Sequence, residues 1–228
     1  MERLSASLQP HKELVGSIAS IVTILQFFTG AFLIKDIYKK QSTEGIPAIP
    51  FIGGIVIGSL TLKYAQILND PAMLQVNVFA IILNSIYLMV YFAYSKDRVK
   101  EVWQPVSVGV AIAAVFLGYA AVESPANLEF RYGLAVTVLM LLLVASPLMD
   151  VAEIISNKDA SSIPFPMTLM GSLVSFLWLI YGIILLNNFM IVQNIIGFLL
   201  CMVQLVLIQL YPGKPKNKKI SKSKNKSQ

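Results

Sequence analysis

Two asparagines, Asn77 and Asn194, stand inside long apolar segments in corresponding parts of the chain. A neutral amide offers two donors and an acceptor, which suits a hydroxyl group that both gives and takes hydrogen bonds. Taken singly, each is expected to tie one helix to another. As a matched pair they point instead to a neutral polar solute. Trp178 carries a flat ring that either packs in the core or stacks on the apolar face of such a solute, and Thr61 adds a small hydroxyl. Pro50 and Pro164 sit in the first turns of their segments, where a missing N–H costs nothing. Pro147 lies within a segment, leaves the carbonyl of Leu143 without its partner, and is expected to kink the helix just before Asp150.

The elements that hold these residues are membrane spans. The 228 residues are 56% hydrophobic and 13% charged, against about 25% charged in a soluble domain, and the mean hydropathy is +0.71. One cysteine, Cys201, excludes an intramolecular disulfide, and the one histidine, His11, lies near the N-terminus, so no histidine dyad sits in the membrane. HExxH, glycine-rich phosphate loops and GxSxG are all missing, which leaves enzyme catalysis without residues to perform it. No metal or cofactor is expected. The net charge of +6 comes largely from the C-terminal tail and does not describe a nucleic-acid-binding face.

A span needs about 20 mostly apolar residues. Seven segments qualify: 14–34, 47–68, 73–94, 105–122, 131–152, 164–186 and 189–211. The first is too long for a cleavable signal. Lys35, Lys39 and Lys40, then Lys96, Arg98 and Lys100, then Lys158 and the lysines from 214 to 226 follow alternate spans. That side is expected to be cytosolic, which puts the N-terminus outside and the C-terminus inside. Polar loops ahead of Pro50-Phe51 and Pro164-Phe165 stand 114 positions apart, as do Tyr64 and Trp178, and suggest an internal repeat at that spacing. A three-helix unit ends on the face opposite its start, so one inserted helix is needed to give two parallel copies. The expected fold is all-α: two parallel three-helix bundles (14–94 and 131–211) joined by a linker helix within 95–130. An N-terminal extracellular tail (1–13) and a disordered basic tail (212–228) complete it. Such repeats bind solute at their interface.

In sequence order, Gln41-Ser42-Thr43-Glu44 with Pro50-Phe51, Ala145-Ser146-Pro147-Leu148, Ile163-Pro164-Phe165, Trp178-Leu179-Ile180-Tyr181-Gly182 and Gln193-Asn194 resemble the SWEET family of sugar facilitators, over residues 14–211. The resemblance implies bidirectional, uncoupled transport of mono- or disaccharides. It implies that Asn77 and Asn194 hydrogen-bond the sugar, that Trp178 walls the pocket, and that Thr61 stands where the family often has Ser. Pro50, Pro147 and Pro164 match three of four inner-gate prolines; the fourth position is Gly30, as in animal members. Tyr64 matches the outer-gate tyrosine, but its aspartate partner is Asn187 here, with Asp70 or Lys63 placed to compensate.

Ionisable residues support passive transport: Lys63, Asp36 and Asp150 lie near span ends, away from mid-depth, where a charge costs at least about 2.5 kcal/mol. Two other readings stay open. One is a proton-coupled amino-acid carrier of the PQ-loop type, although no Pro-Gln dipeptide opens a helix here. The other is a transport-inactive adaptor or receptor of the same fold. Expected partners are the sugar and the lipid bilayer, without nucleic acid. A homo-oligomer is compatible with the sequence, and the plasma membrane is the default location, with the Golgi as the alternative.

Overall fold

The computed structural model describes residues 1–143 and 145–212, with the side chains at 145–147, 149 and 150 outside the description. The expected basic tail, the kink at Pro147 and the side chain of Asp150 therefore fall outside the described residues. Among those residues all regular structure is helical: α1 (Glu2–Leu8), α2 (Lys12–Phe27), α3 (Gly30–Lys40), α4 (Ile49–Leu68), α5 (Pro71–Tyr94), α6 (Gln104–Val122), α7 (Pro125–Leu143), α8 (Ala145–Asn157), α9 (Phe165–Ile184) and α10 (Asn188–Leu210). Seven spans are long and apolar enough to cross a membrane; the first combines α1 to α3 as Glu2–Lys40, and the fourth, Val99–Val122, includes a π-turn at Val99–Trp103 ahead of α6.

Three features differ from expectation. The residues set apart as an N-terminal tail are helical, through α1 and a 3-10 turn at Gln9–His11. Buried Ser5 donates its hydroxyl to the carbonyl of Ile184 at 2.9 Å, which anchors α1 against α9. The fifth span starts at Pro125 rather than 131, because proline fits a first helical position, and so Glu129 and Arg131 lie inside α7. The first span is interrupted at Phe28 and Thr29, where N–H groups reach back three residues, to Leu25 and Gln26, at 3.2 and 3.0 Å.

The repeat is real, but its register is 117 rather than 114. Gln41 and Lys158 both end helices in the left-handed region at φ 51°, and Asn69 and Leu186 do the same at 51° and 53°. Asp70 and Asn187 cap the next helices through their side chains. The Ile46 N–H bonds the Thr43 carbonyl at 2.9 Å, and the Ile163 N–H bonds that of Ala160 at 3.1 Å. Each pair is 117 positions apart. The equivalent of Pro164 is therefore Pro47, not Pro50, and the equivalent of Tyr64 is Tyr181, not Trp178. A slip of three residues is close to one helical turn, so apolar patterning does not expose it.

The first bundle comprises α2–α3, α4 and α5, and the second α7–α8, α9 and α10. Linker α6 packs on α4 and α7, and the bundles meet through α2 on α9 and α4 on α7. The Arg131 guanidinium donates to Glu123 at 3.0 Å across the α6–α7 turn, the one ion pair among the described residues. The Tyr119 hydroxyl, then the Ser124 N–H and Arg131, hold the Glu123 carboxyl well below its usual range, at about 2. Many large apolar side chains face outward, among them Leu25, Phe32 and Val115, as they should where the solvent is lipid.

The buried side chains fall into three clusters with unequal reach. At the Lys-poor end one core takes residues from both bundles, with Leu60, Tyr64 and Met73 against Tyr132, Tyr181 and Met190. At the Lys-rich end the cores are separate. Ile37, Phe51, Tyr87, Tyr91 and Val102 pack within the first bundle and the linker start. Val151, Ile154, Ala160 and Leu207 pack within the second.

Candidate functional site

The Lys-poor end is tied by two crossed pairs, each joining the bundles. The Asn187 amide donates to the Tyr64 hydroxyl at 2.8 Å, and the Tyr181 hydroxyl donates to the Asp70 carboxylate at 2.7 Å. Under the 117 register these pairs are equivalents of one another. The local fold explains their rigidity. Asp70 spends its other carboxylate oxygen, and Asn187 its amide oxygen, on capping a helix, accepting from the N–H of Met73 and of Met190, both at 2.9 Å. A cap fixes the side chain's rotamer, so its free end points across the interface. Both are buried, Asp70 at 2% exposure and Asn187 at 7%. The Tyr132 hydroxyl, donating to the Leu60 carbonyl at 3.1 Å, adds a third crossing. Gly133 is required here, because a Cβ would stand 2.9 Å from the Tyr64 hydroxyl and 2.7 Å from the Phe189 ring.

One to two helical turns in from the crossed pairs, the candidate binding residues are half-buried and form two repeat-related pairs, Asn77 with Asn194 and Thr61 with Trp178. The Asn77 amide donates to the Met73 carbonyl at 2.8 Å, and Asn194 makes the matching bond to Met190 at 2.8 Å. Each bond runs four residues back along its own helix and orients the amide without using both of its hydrogens. Thr61 and Asn77 are brought together by a short hydroxyl-to-amide contact. Trp178 instead donates its indole N–H to Thr23 of α2 at 2.8 Å, and its ring meets Tyr181 edge-on at 5.6 Å. Among the described residues no hydrogen bond joins Asn77 to Asn194.

Toward the Lys-rich end a cavity of about 640 Å³ opens between α2, α8, α9 and α10, with Gln26, Thr168, Gly171, Cys201 and Gln204 inside it. Glu153, Asn157 and Asp159 stand at its mouth, and Pro164 lies on its wall. Gly171 allows close packing, since a Cβ there would sit 3.3 Å from the Cys201 sulfur. Gly30 begins α3 just past the interruption in the first span, against the Tyr87 ring, which a Cβ would meet at 2.6 Å. Pro47 and Pro50 are both exposed at the start of α4.

The two loops at this end are held differently. In the first bundle Glu101, from the π-turn, accepts from the Thr43 hydroxyl at 2.6 Å and the Ser95 hydroxyl at 2.8 Å, and Tyr91 donates to the Ile46 carbonyl at 2.9 Å. In the second bundle Ala160 takes the place of Thr43, and the loop is held by a backbone bond, Ala160 N–H to the Tyr211 carbonyl, at 3.0 Å. Reading from sequence missed Glu101, Gln26, Thr23 and Tyr181 as partners. The register of 117 would have found Tyr181 from Tyr64; Glu101 has no sequence signal, because only the fold carries it to Thr43.

Two parallel helix triplets around a linker, tied to each other at the Lys-poor end and with a cavity toward the Lys-rich end, define a seven-span membrane protein. Residues 13–99 and 130–216 each match the model of a family described as sugar efflux transporters for intercellular exchange, with starts again 117 apart. The chain is 29% identical over 203 residues to sugar transporter SWEET1 of Drosophila pseudoobscura pseudoobscura, spanning 88% of this chain and 89% of that protein. It is 28% identical over 201 residues to SWEET1 of Rattus norvegicus, spanning 87% and 90%. Its fold is similar to that of a eukaryotic SWEET transporter solved at 3.7 Å resolution, with a TM-score of 0.78 at 21% identity, over 89% of this chain and 97% of that one. The chain belongs to the SWEET family.

Proposed function

We propose that this chain carries small sugars, mono- or disaccharides, across the membrane in both directions, uncoupled from any ion, by alternating access. The observation that supports this reading best is the unequal packing of the two ends. A shared core and two crossed Tyr–Asx pairs close the Lys-poor end, while at the Lys-rich end the cores are separate and a cavity opens beside that of the second bundle. Rocking the bundles about the middle would break the crossed pairs and bring the two separate cores together. In this mechanism Asn77 and Asn194 present amide groups to sugar hydroxyls, Trp178 and Thr61 wall the site, and Tyr64 with Asn187 gates the outer end. Gly30, Pro50, Pro147 and Pro164 form the inner hinges, and Pro47 joins them as the repeat partner of Pro164. The Lys-rich end is cytosolic in this reading, with the N-terminus outside, and the plasma membrane is the site of action.

The test is sugar uptake and efflux in liposomes holding the purified protein, with Asn77→Ala and Asn194→Ala beside the wild type. A lost hydrogen bond to a buried polar partner costs about 1–3 kcal/mol, so each variant is expected to bind sugar about 5- to 150-fold more weakly. Amides that only join helices contribute about 0.6 kcal/mol. Unchanged affinity with a lowered Tm would remove both from the binding site.

A further inference from the structure

The start of the linker holds a second feature. Beside the π-turn at Val99–Trp103, a groove of about 480 Å³ runs between α4, α5 and α6. From Phe92 back to Ser85 it follows α5 for about 10 Å. Its walls are aliphatic and aromatic, including Ile55, Leu88, Phe92 and Val106, and the Ser85 hydroxyl is spent on the Ile81 carbonyl at 2.7 Å. Three exposed cations, Lys96, Arg98 and Lys100, lie on the stretch of chain that leads from α5 into the π-turn. The Arg98 guanidinium sits 4.6 Å from the Phe92 ring centroid, and that ring meets Trp103 edge-on at 5.9 Å. Trp103 itself is 57% exposed, as suits a ring at a membrane surface. The acidic groups of this stretch are engaged elsewhere. Asp97 accepts from the Lys100 N–H at 3.1 Å, and Glu101 takes Thr43 and Ser95. Among the described residues no carboxylate pairs with Arg98.

We propose that this groove is a binding site for an anionic phospholipid of the leaflet at the Lys-rich end. An acyl chain lies along α5 against Phe92 and Val106, and the phosphate meets Arg98 between Lys96 and Lys100. A neutral lipid leaves the three cations without a counter-charge, and a soluble anion leaves the apolar walls unused. An anionic amphiphile satisfies both, and basic pockets between spans on the cytosolic side are suited to such headgroups.

The test uses the full-length protein in vesicles of phosphatidylcholine, alone or mixed with phosphatidylserine. Tm is measured in the vesicles, and lipids retained after extraction are counted by native mass spectrometry. Phosphatidylserine is expected to be retained and to raise Tm. The variant Lys96→Gln/Arg98→Gln/Lys100→Gln is expected to lose about fivefold in affinity per cation, about 1 kcal/mol each. Val106→Trp, which fills the groove and keeps the charges, is expected to lose the retained lipid as well. Replacing the lysines between 214 and 226 by Gln is expected to change nothing. Retention by the triple variant, loss through the tail variant alone, or equal retention of phosphatidylcholine would overturn the site. Equal competition by water-soluble glycerophosphoserine would also overturn it, because the apolar groove would then contribute nothing.

Discussion

Two crossed pairs that are equivalent in the repeat are unequal in chemistry. Tyr181 donates to a carboxylate, Asp70, whereas Tyr64 accepts from a neutral amide, Asn187. Hydrogen bonds to charged groups contribute about 1.5–3 kcal/mol, and neutral ones about 0.5–1.5. The stronger half of the closure therefore lies at Asp70, on the turn of the first bundle. Asp70→Asn is expected to weaken the closed end by about 1 kcal/mol, roughly a fivefold shift toward opening. Asn187→Asp, which lets Tyr64 become a donor to a carboxylate, is expected to shift the balance the other way. Distances between spin labels at the Lys-poor ends of α4 and α9 report the populations, and unchanged distances in both variants would show that the shared core alone sets closure. The family resemblance paired Tyr64 with Asn187, and it left Asp70 or Lys63 as a compensating group without a partner. The missing partner, Tyr181, was hidden by the shift of three residues in the repeat. Leu186 was equally silent. A leucine held at φ 53° costs about 1–2 kcal/mol, and its reason is tertiary, since it delivers Asn187 to both Met190 and Tyr64.

At the scale of elements, the seven spans and the linker were legible because length and hydropathy determine them, and the Lys pattern marked their alternate ends. Where helices begin and break was less legible. Pro125 opens α7 earlier than its charges suggest, and the first span changes to a tighter turn at Phe28 and Thr29 without any proline. The role of the linker was not legible at all, for the π-turn that aims Glu101 at Thr43 depends on packing between Val102 and the first bundle's core. This latch makes the linker part of the first bundle's Lys-rich loop, while the second bundle's loop is held by a backbone bond. Thr43→Val removes a buried hydroxyl of nearly the same shape and leaves Glu101 with Ser95. Stability is expected to fall by about 1–2 kcal/mol, with faster backbone hydrogen exchange confined to residues around 41–47. Ala160→Thr in the second loop, which has no Glu101 to meet, is expected to gain no protection. Uniform exchange changes in both loops would contradict a latch confined to one bundle.

At the scale of the whole molecule, the proposed rocking of the two bundles needs a driving force. A carrier coupled to protons or sodium keeps an ionisable group where it meets both sides in turn, despite a cost of at least about 2.5 kcal/mol at mid-depth. The residues proposed to meet the sugar, Asn77, Asn194, Thr61 and Trp178, are neutral, and the cavity's described carboxylates, Glu153 and Asp159, are exposed. Asp70 is the one described carboxylate that the opening of the Lys-poor end would release from burial. Equilibrium transport therefore separates two arrangements of the same fold. Without a coupled charge, sugar in liposomes is expected to reach equal concentration inside and out, from either direction. An imposed pH gradient or a protonophore would leave that endpoint unchanged. Asp70→Asn would alter the rate of approach, through the weaker closure, but not the endpoint. Accumulation of sugar above its outside concentration under an imposed pH gradient, abolished by Asp70→Asn, would instead make that carboxylate a proton carrier and end the uncoupled reading.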